Sequence, residues 1–444
     1  MFRVRTVLAF IVVAMTSLIP YNLFLNAHQY FYYKLRNTTN IGGNDNLLDA
    51  SNQTLIGTEP TTDLQRTYEG WFTVTSGVTC ILGSLLNTLT TYSLSNGFRV
   101  LSGHAIVLLS LLPTIFYTFV DTDEHQVHFF WMSMFFSSIS SFACCGLIGA
   151  GISGLAATYT KWHMQLVIVG SAVAGICTSL LSVACQAATS NSILNGRIYF
   201  GLAFVWTIFS LFCYHFLIEP DNVKRVDDGN QLLDEQEEEQ ESDDSQESAG
   251  VETEDHQGEI SQSPLPSSSL FEGWAGIFQK SCADMTCAML VIVVTCSAFP
   301  ALASQVRTQT QNATWKAYFS SICCFFLYGC ADLLGRVFAS RISISRRQLQ
   351  NVTLARMLLV PLIAVCDVQP RLHSPSLIRN DTVFVFLIMS LALSNGFCYS
   401  HAYVKAIQSV EPPLRETAGS MMSLVGNVVA LLGAMIGVVI VAIM

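Results

Sequence analysis

A helix that crosses a bilayer leaves water behind for about 30 Å, and so needs about 20 consecutive apolar residues. The chain offers eleven such runs in 444 residues, at roughly 7–33, 70–94, 100–120, 127–158, 163–188, 197–218, 283–306, 316–340, 353–368, 381–405 and 417–444. The ninth is short. The fold class predicted is an all-α polytopic membrane protein with eleven transmembrane helices. Composition agrees, since only 12% of residues are charged, against about 25% in soluble domains. The first run follows Arg3 and Arg5, as a secretory signal would. It is too long for a signal core, lacks a small-x-small cleavage site, and is expected to stay as a helix.

Charge divides the chain into three parts. From Glu219 to Glu272 there are 18 acidic residues and two bases, Lys224 and Arg225. The remainder holds 14 acids and 20 bases, so the formal charge of −10 belongs to one loop. We therefore read 1–218 as a six-helix half, 219–282 as an acidic, disordered cytoplasmic loop, and 283–444 as a five-helix half. The loop's serines, such as Ser242 and Ser245, are candidate kinase sites against a background of plain solvated tether. Its Leu232-Leu233 pair follows Asp228, a pattern that endosomal sorting adaptors read.

Sidedness follows from two signals. Sequons at Asn37, Asn52, Asn312 and Asn380 fall on one face if the N-terminus is cytoplasmic and the C-terminus is not. The first two lie in the outer loop 34–69. Arg3, Arg5, Arg99, Lys161, Arg341, Arg346 and Arg347 then fall on the other face, as the positive-inside tendency asks. The 14 cysteines are scattered, without paired spacing or a histidine cluster, which argues for buried thiols rather than a metal or disulfide framework. No cofactor is implied. No nucleophile–base or phosphate-binding constellation points to an enzyme, and no basic patch points to nucleic acid.

Ionisable residues inside a span are costly and need a partner. Asp332 and Arg336 are the clear pair, four residues apart and hence on one face of the eighth helix. Arg336 falls about 12 Å to the cytoplasmic side of that span's midpoint at 1.5 Å per residue. The pair suits two roles: a polar solute site, or an ion pair that clamps helices or latches a gate. In the first span, Pro20 should kink the helix beside Tyr21 and Asn22. Tyr21 could stack on a heterocycle or anchor at the interface. Gly146, Ala150 and Gly154 share a helix face, as do Gly433 and Gly437, a spacing that fits close helix packing.

These motifs resemble the equilibrative nucleoside transporters over nearly the whole chain. The resemblance rests on Pro20-Tyr21-Asn22, Asp332-Leu333-Leu334-Gly335-Arg336, Arg356 and its neighbours in the ninth helix, Ser394-Asn395-Gly396, and Glu416-Thr417-Ala418-Gly419. It implies a 6+5 arrangement similar to the major facilitator fold, with nucleosides as substrates and nucleobases as a further candidate class. It places substrate contacts on Asp332 and Arg336 and first-helix contacts on Leu18, Tyr21 and Leu25. Two positions depart from the family. Tyr21 replaces the usual tryptophan, and Cys145 stands where a base-reading glutamine is expected.

The function expected is sodium-independent, facilitative nucleoside transport by alternating access, carried out by a monomer in the lipid bilayer. The plasma membrane is the expected location, with the endolysosomal membrane as the alternative. The rival reading is a proton-influenced or broader carrier of organic cations and amines; His28, His104 and His401 keep proton influence open. A receptor or scaffold without transport would carry a large folded soluble domain, which the acidic loop does not resemble.

Overall fold

The computed structural model describes residues 2–37, 62–189, 191–218, 267–369 and 376–443. Asn52, Ser242, Ser245, Leu232 and Leu233 lie outside them. Among the described residues, ten helices are long and apolar enough to cross a membrane: Arg5–Asn26, Asp63–Leu89, Asn96–Tyr117, Asp123–Thr158, Lys161–Ala188, Ser192–Phe216, Gly273–Gln305, Ser320–Arg341, Asp381–Gln408 and Pro412–Ile443. These correspond to ten of the eleven runs expected, as spans one to eight, ten and eleven.

The ninth run needs correction, because it is not one continuous helix. It comprises a helix Arg346–Ala355, a tight turn Arg356–Leu358 and a helix Leu359–Ala364. Pro361 has no N–H to offer the carbonyl of Met357, so the regular ladder fails where Arg356 sits. The segmented run, hereafter span nine, also starts earlier than its apolar stretch, at a Ser345 cap that accepts from the Gln348 N–H. The helix of span seven likewise begins inside the segment read as loop, at Ser267. Ile277 there packs with Val410, Ala418 and Met421.

Span one breaks as its proline demands. Helices Phe2–Thr16, Ile19–Asn26 and His28–Lys34 follow one another. Pro20 cannot donate to the Thr16 carbonyl, and Ser17 and Leu18 form the irregular joint. The Ser17 and Leu18 N–H groups turn back to Ala14 and Met15 at 3.2 and 3.1 Å. The joint leaves the Ser17 carbonyl free to accept from the Cys145 thiol of span four at 3.2 Å.

Small residues set how closely helices approach. Gly335 of span eight faces Gly396 of span ten, each without room for a side chain. A Cβ on Gly396 would lie 2.0 Å from the Asp332 carbonyl, and one on Gly335 would lie 2.2 Å from that of Leu393. The stripe in span four packs the same way: Gly146 meets the backbone of Gly83, and Gly154 meets that of Glu416. The two halves touch through span eleven against spans two and four, and through span eight against span five.

This packing yields a test. Gly396→Ala should lower thermal stability in detergent by about 1–3 kcal/mol or more, through overpacking against backbone. Gly201→Ala, with no atom within 4 Å of the added carbon, should leave the melting temperature unchanged or slightly raised. Equal melting of the two variants would contradict the close approach of spans eight and ten.

A polar cavity between the two halves

A cavity of about 350 Å³ lies between the halves, within the range typical of small-molecule sites. Its walls are helix stripes of one face each. Cys145, Gly149 and Ser153 come from span four, and Asn395, Tyr399 and Tyr403 from span ten. Both sets are spaced four apart, which stacks them one turn above another. Span one adds the joint residues Ser17 and Leu18, and span eight adds Arg336.

Asp332 stands behind this wall and fixes Arg336. Its Oδ2 accepts from Arg336 Nε at 2.8 Å and pairs with Nη2 at 2.8 Å. Its Oδ1 accepts from Asn395 Nδ2 at 2.8 Å. Arg336 Nη1 donates to the Ile168 carbonyl and to Ser171 Oγ, both of span five, the latter at 2.7 Å. The guanidinium carbon lies 5.9 Å from the centre of the Tyr399 ring, a cation–π approach. Both groups are buried, at 4% and 9% exposure. The expected pair is thus present, and its two members differ in role by position: the arginine faces the cavity and the aspartate orients it.

The network extends to span nine. Arg356, 3% exposed, donates from Nη2 to Thr295 Oγ1 at 2.8 Å and from Nε to Ser394 Oγ at 2.9 Å. Thr295 Oγ1 lies 2.8 Å from Asn395 Oδ1. Asn395 therefore bridges the two arginines, accepting on one atom and donating from the other. Its position beside Gly396 explains both residues of that motif: the glycine brings the backbone close, and the asparagine uses the proximity.

The remaining expected residues divide. Leu18 and Cys145 line the cavity. Tyr21 does not stack in it, and instead lies 5.6 Å from the Phe72 ring of span two at a 26° interplanar angle. Leu25 packs on the large buried cluster to which both halves contribute, and Asn22 caps no cavity wall but continues the helix through its N–H to Leu18. Asn312 and Asn380 are exposed, and both side chains accept from nearby backbone N–H groups.

Glu416 lies elsewhere, at the end of the bundle where spans three and eleven start. It accepts from Arg99 of span three, and from Asn96 Nδ2 at 3.3 Å. Tyr214 donates to Asn96 Oδ1 at 2.9 Å, and Asn87 donates to Ser420 at 3.2 Å. Arg99 is 2% exposed, so this is a buried cation tied to the opposite half. In the sequence, Arg99 reads only as one of the basic residues on the cytoplasmic face. Its place directly before the apolar run 100–120, with a Ser95 cap that starts the helix a turn earlier, was the available signal.

The model of the family described as Nucleoside transporter matches residues 132–442. Equilibrative nucleoside transporter 2 of Homo sapiens is 25% identical over 436 residues, covering 94% of this chain and 92% of that protein. Equilibrative nucleoside transporter 1 of Rattus norvegicus is 25% identical over 439 residues with the same coverage. The solved structure of XylE, a major facilitator superfamily proton:xylose symporter bound to 6-bromo-6-deoxy-D-glucose, is 10% identical with a TM-score of 0.54. That match covers 98% of this chain and 86% of the other, and it shows a shared fold. With the family match spanning most of its length, this chain belongs to the nucleoside transporter family, integral membrane carriers rather than enzymes.

Proposed function

We propose that the chain is a facilitative, sodium-independent nucleoside carrier that works by alternating access. The observation that carries this is the cavity between the halves, walled by an arginine that a buried aspartate holds in place. An oriented guanidinium donates to sugar or base oxygens, and a carboxylate behind it spares the substrate from ordering it. The names of the relatives, equilibrative nucleoside transporters, support the same solute. Accumulative transport against a gradient would need a coupled ion.

In this account the N-terminus and the acidic loop are cytoplasmic, the C-terminus is extracytoplasmic, and Asn37, Asn312 and Asn380 face outward. The Arg99–Glu416 cluster then closes the cytoplasmic end of the cavity by tying span eleven to span three. Opening it requires that the buried Arg99 lose its carboxylate, so the contact biases the carrier toward this state. The protein acts as a monomer at the plasma membrane, with 219–282 available to kinases and sorting adaptors.

The rival solute class, organic cations, fits less well. A cation site asks for carboxylates on the wall, and the cavity lining contains Arg336 and no acid. Asp332 is already engaged on both oxygens.

Labelled uridine and adenosine uptake into oocytes tests the proposal. Wild-type protein should raise uptake well above background with no sodium present. Asp332→Asn and Arg336→Ala should each reduce it by about tenfold or more at equal surface amount, since each removes a charge-assisted contact. Normal flux in both variants would reduce the pair to a structural clamp. For the latch, Arg99→Glu and Glu416→Arg should each depress uptake, and the double exchange should recover a substantial part. Failure of the exchange to recover any flux would remove the latch from the mechanism.

A further inference from the structure

The contacts that tie span eleven to the six-helix half do not stop at Glu416. Further along the helix, Ser420 Oγ accepts from Asn87 Nδ2 of span two at 3.2 Å, and Asn427 Nδ2 donates to Ser84 Oγ of span two at 2.7 Å. Asn87 is itself bound to Arg99, its Oδ1 accepting from Nη1 at 3.1 Å. Glu416, Ser420 and Asn427 follow one another at intervals of four and seven residues, which keeps them on one stripe of the helix. The seam between the halves thus carries polar rungs from Arg99–Glu416 through Asn87–Ser420 to Ser84–Asn427, over about 16 Å at 1.5 Å per residue.

The rungs differ in what they face. Arg99, Asn87, Ser84 and Ser420 are all closed off, at 2% exposure or less. Asn427 is half-buried and lines the cavity, beside Ser423, Gly426 and Ala430 of the same helix. Of the rung residues it alone reaches that wall. An asparagine amide has two hydrogens to give and an oxygen that accepts. One hydrogen goes to Ser84, and the other groups of the amide have no partner among the described residues. Asn427 is therefore where the seam meets the solute site.

We infer that Asn427 is the solute sensor of the carrier. Its amide binds a polar group of the nucleoside, and completing that contact draws the side chain off Ser84 and loosens the seam that ends at Arg99–Glu416. Ser84 loses little by the exchange, because a helical serine can turn its hydroxyl to the carbonyl four residues back. Thr88 makes that same bond onto the Ser84 carbonyl at 2.8 Å. The empty carrier has nothing to replace the rung, so it keeps the rung and reorients more slowly. A ligand shifts two states only by its differential affinity for them, and a contact completed by releasing a rung supplies that difference. This rests on the nucleoside reading above and adds the residue that links occupancy to opening.

Two quantities measured in sealed proteoliposomes separate sensing from bracing. One is the half-saturating uridine concentration under equilibrium exchange, and the other is the ratio of entry into uridine-loaded vesicles to entry into empty ones. Asn427→Ala removes contact and rung together. It should raise the half-saturation by about three- to tenfold, the scale of one hydrogen bond, and bring the ratio toward one. Ser84→Ala removes the rung alone, so the ratio should fall while the half-saturation stays near that of the wild type. Should Asn427→Ala fail to reconstitute, Asn427→Ser, too short to span both partners, is expected to change both quantities in the same direction. Wild-type half-saturation in the Asn427 variant would reduce the residue to a brace and overturn the inference. So would a ratio of one in the wild type, or an unchanged ratio in Ser84→Ala. These outcomes leave uridine entry by the wild type intact, whereas no entry at all removes the transport reading beneath.

Discussion

An arginine inside a membrane protein must be held, and how it is held decides what else the bundle can be. A central charge costs about 2.5–3.5 kcal/mol on insertion scales, and stripping its partner costs about 3–5 kcal/mol more. Here Asp332 takes two contacts from Arg336 and one from Asn395. Those contacts require spans eight and ten to lie almost backbone to backbone, which Gly335 and Gly396 permit. Span nine then brings Arg356 to the other side of Asn395 through Thr295. The five-helix half is thereby organised around one carboxylate and two cations. The six-helix half answers with backbone and hydroxyl oxygens from Ile168 and Ser171.

This arrangement gives the two halves different jobs. The five-helix half supplies fixed charge and directed donors, whereas the six-helix half supplies small hydroxyls, a thiol and close-packing glycines. Among the described residues, contacts between the halves that involve charge occur at two levels, Arg336 to span five and Arg99 to Glu416. Both join side chains of one half to groups of the other, apart from the Asp332–Asn395 contact and the glycine packing within the five-helix half. Alternating access asks for that separation: rigid halves, with polar contacts between them that exchange with substrate or water.

The sequence made much of this legible, for physical reasons that differ by residue. Asp332 and Arg336 stood out because charge in an apolar run has few explanations. Pro20 signalled its break because a missing N–H has a fixed consequence. The ninth run read as short because its polar first turns, Arg346 to Gln350, do not look like a span, and the break before Pro361 lies inside the stretch that read as continuous. The start of span seven was hidden similarly, since Glu272 and Lys280 lie in its first turns. Thr295 and Ser171 are ordinary polar residues in long helices, and only their neighbours across helix contacts give them roles, whereas Asn395 stood out by its motif without a stated partner. Tyr21 shows the converse: its type suited a stacking site, but Phe72 lies where a heterocycle would have to be.

A facilitative carrier equilibrates nucleosides without an energy source. Purified protein in sealed proteoliposomes tests it most directly, with labelled uridine outside and no sodium or proton gradient. Internal uridine should rise to the external concentration and stop, and unlabelled uridine preloaded inside should speed the initial entry. An imposed inward proton gradient should leave that end point unchanged. Accumulation well above the external concentration under such a gradient would contradict facilitative transport and identify a coupled transporter instead.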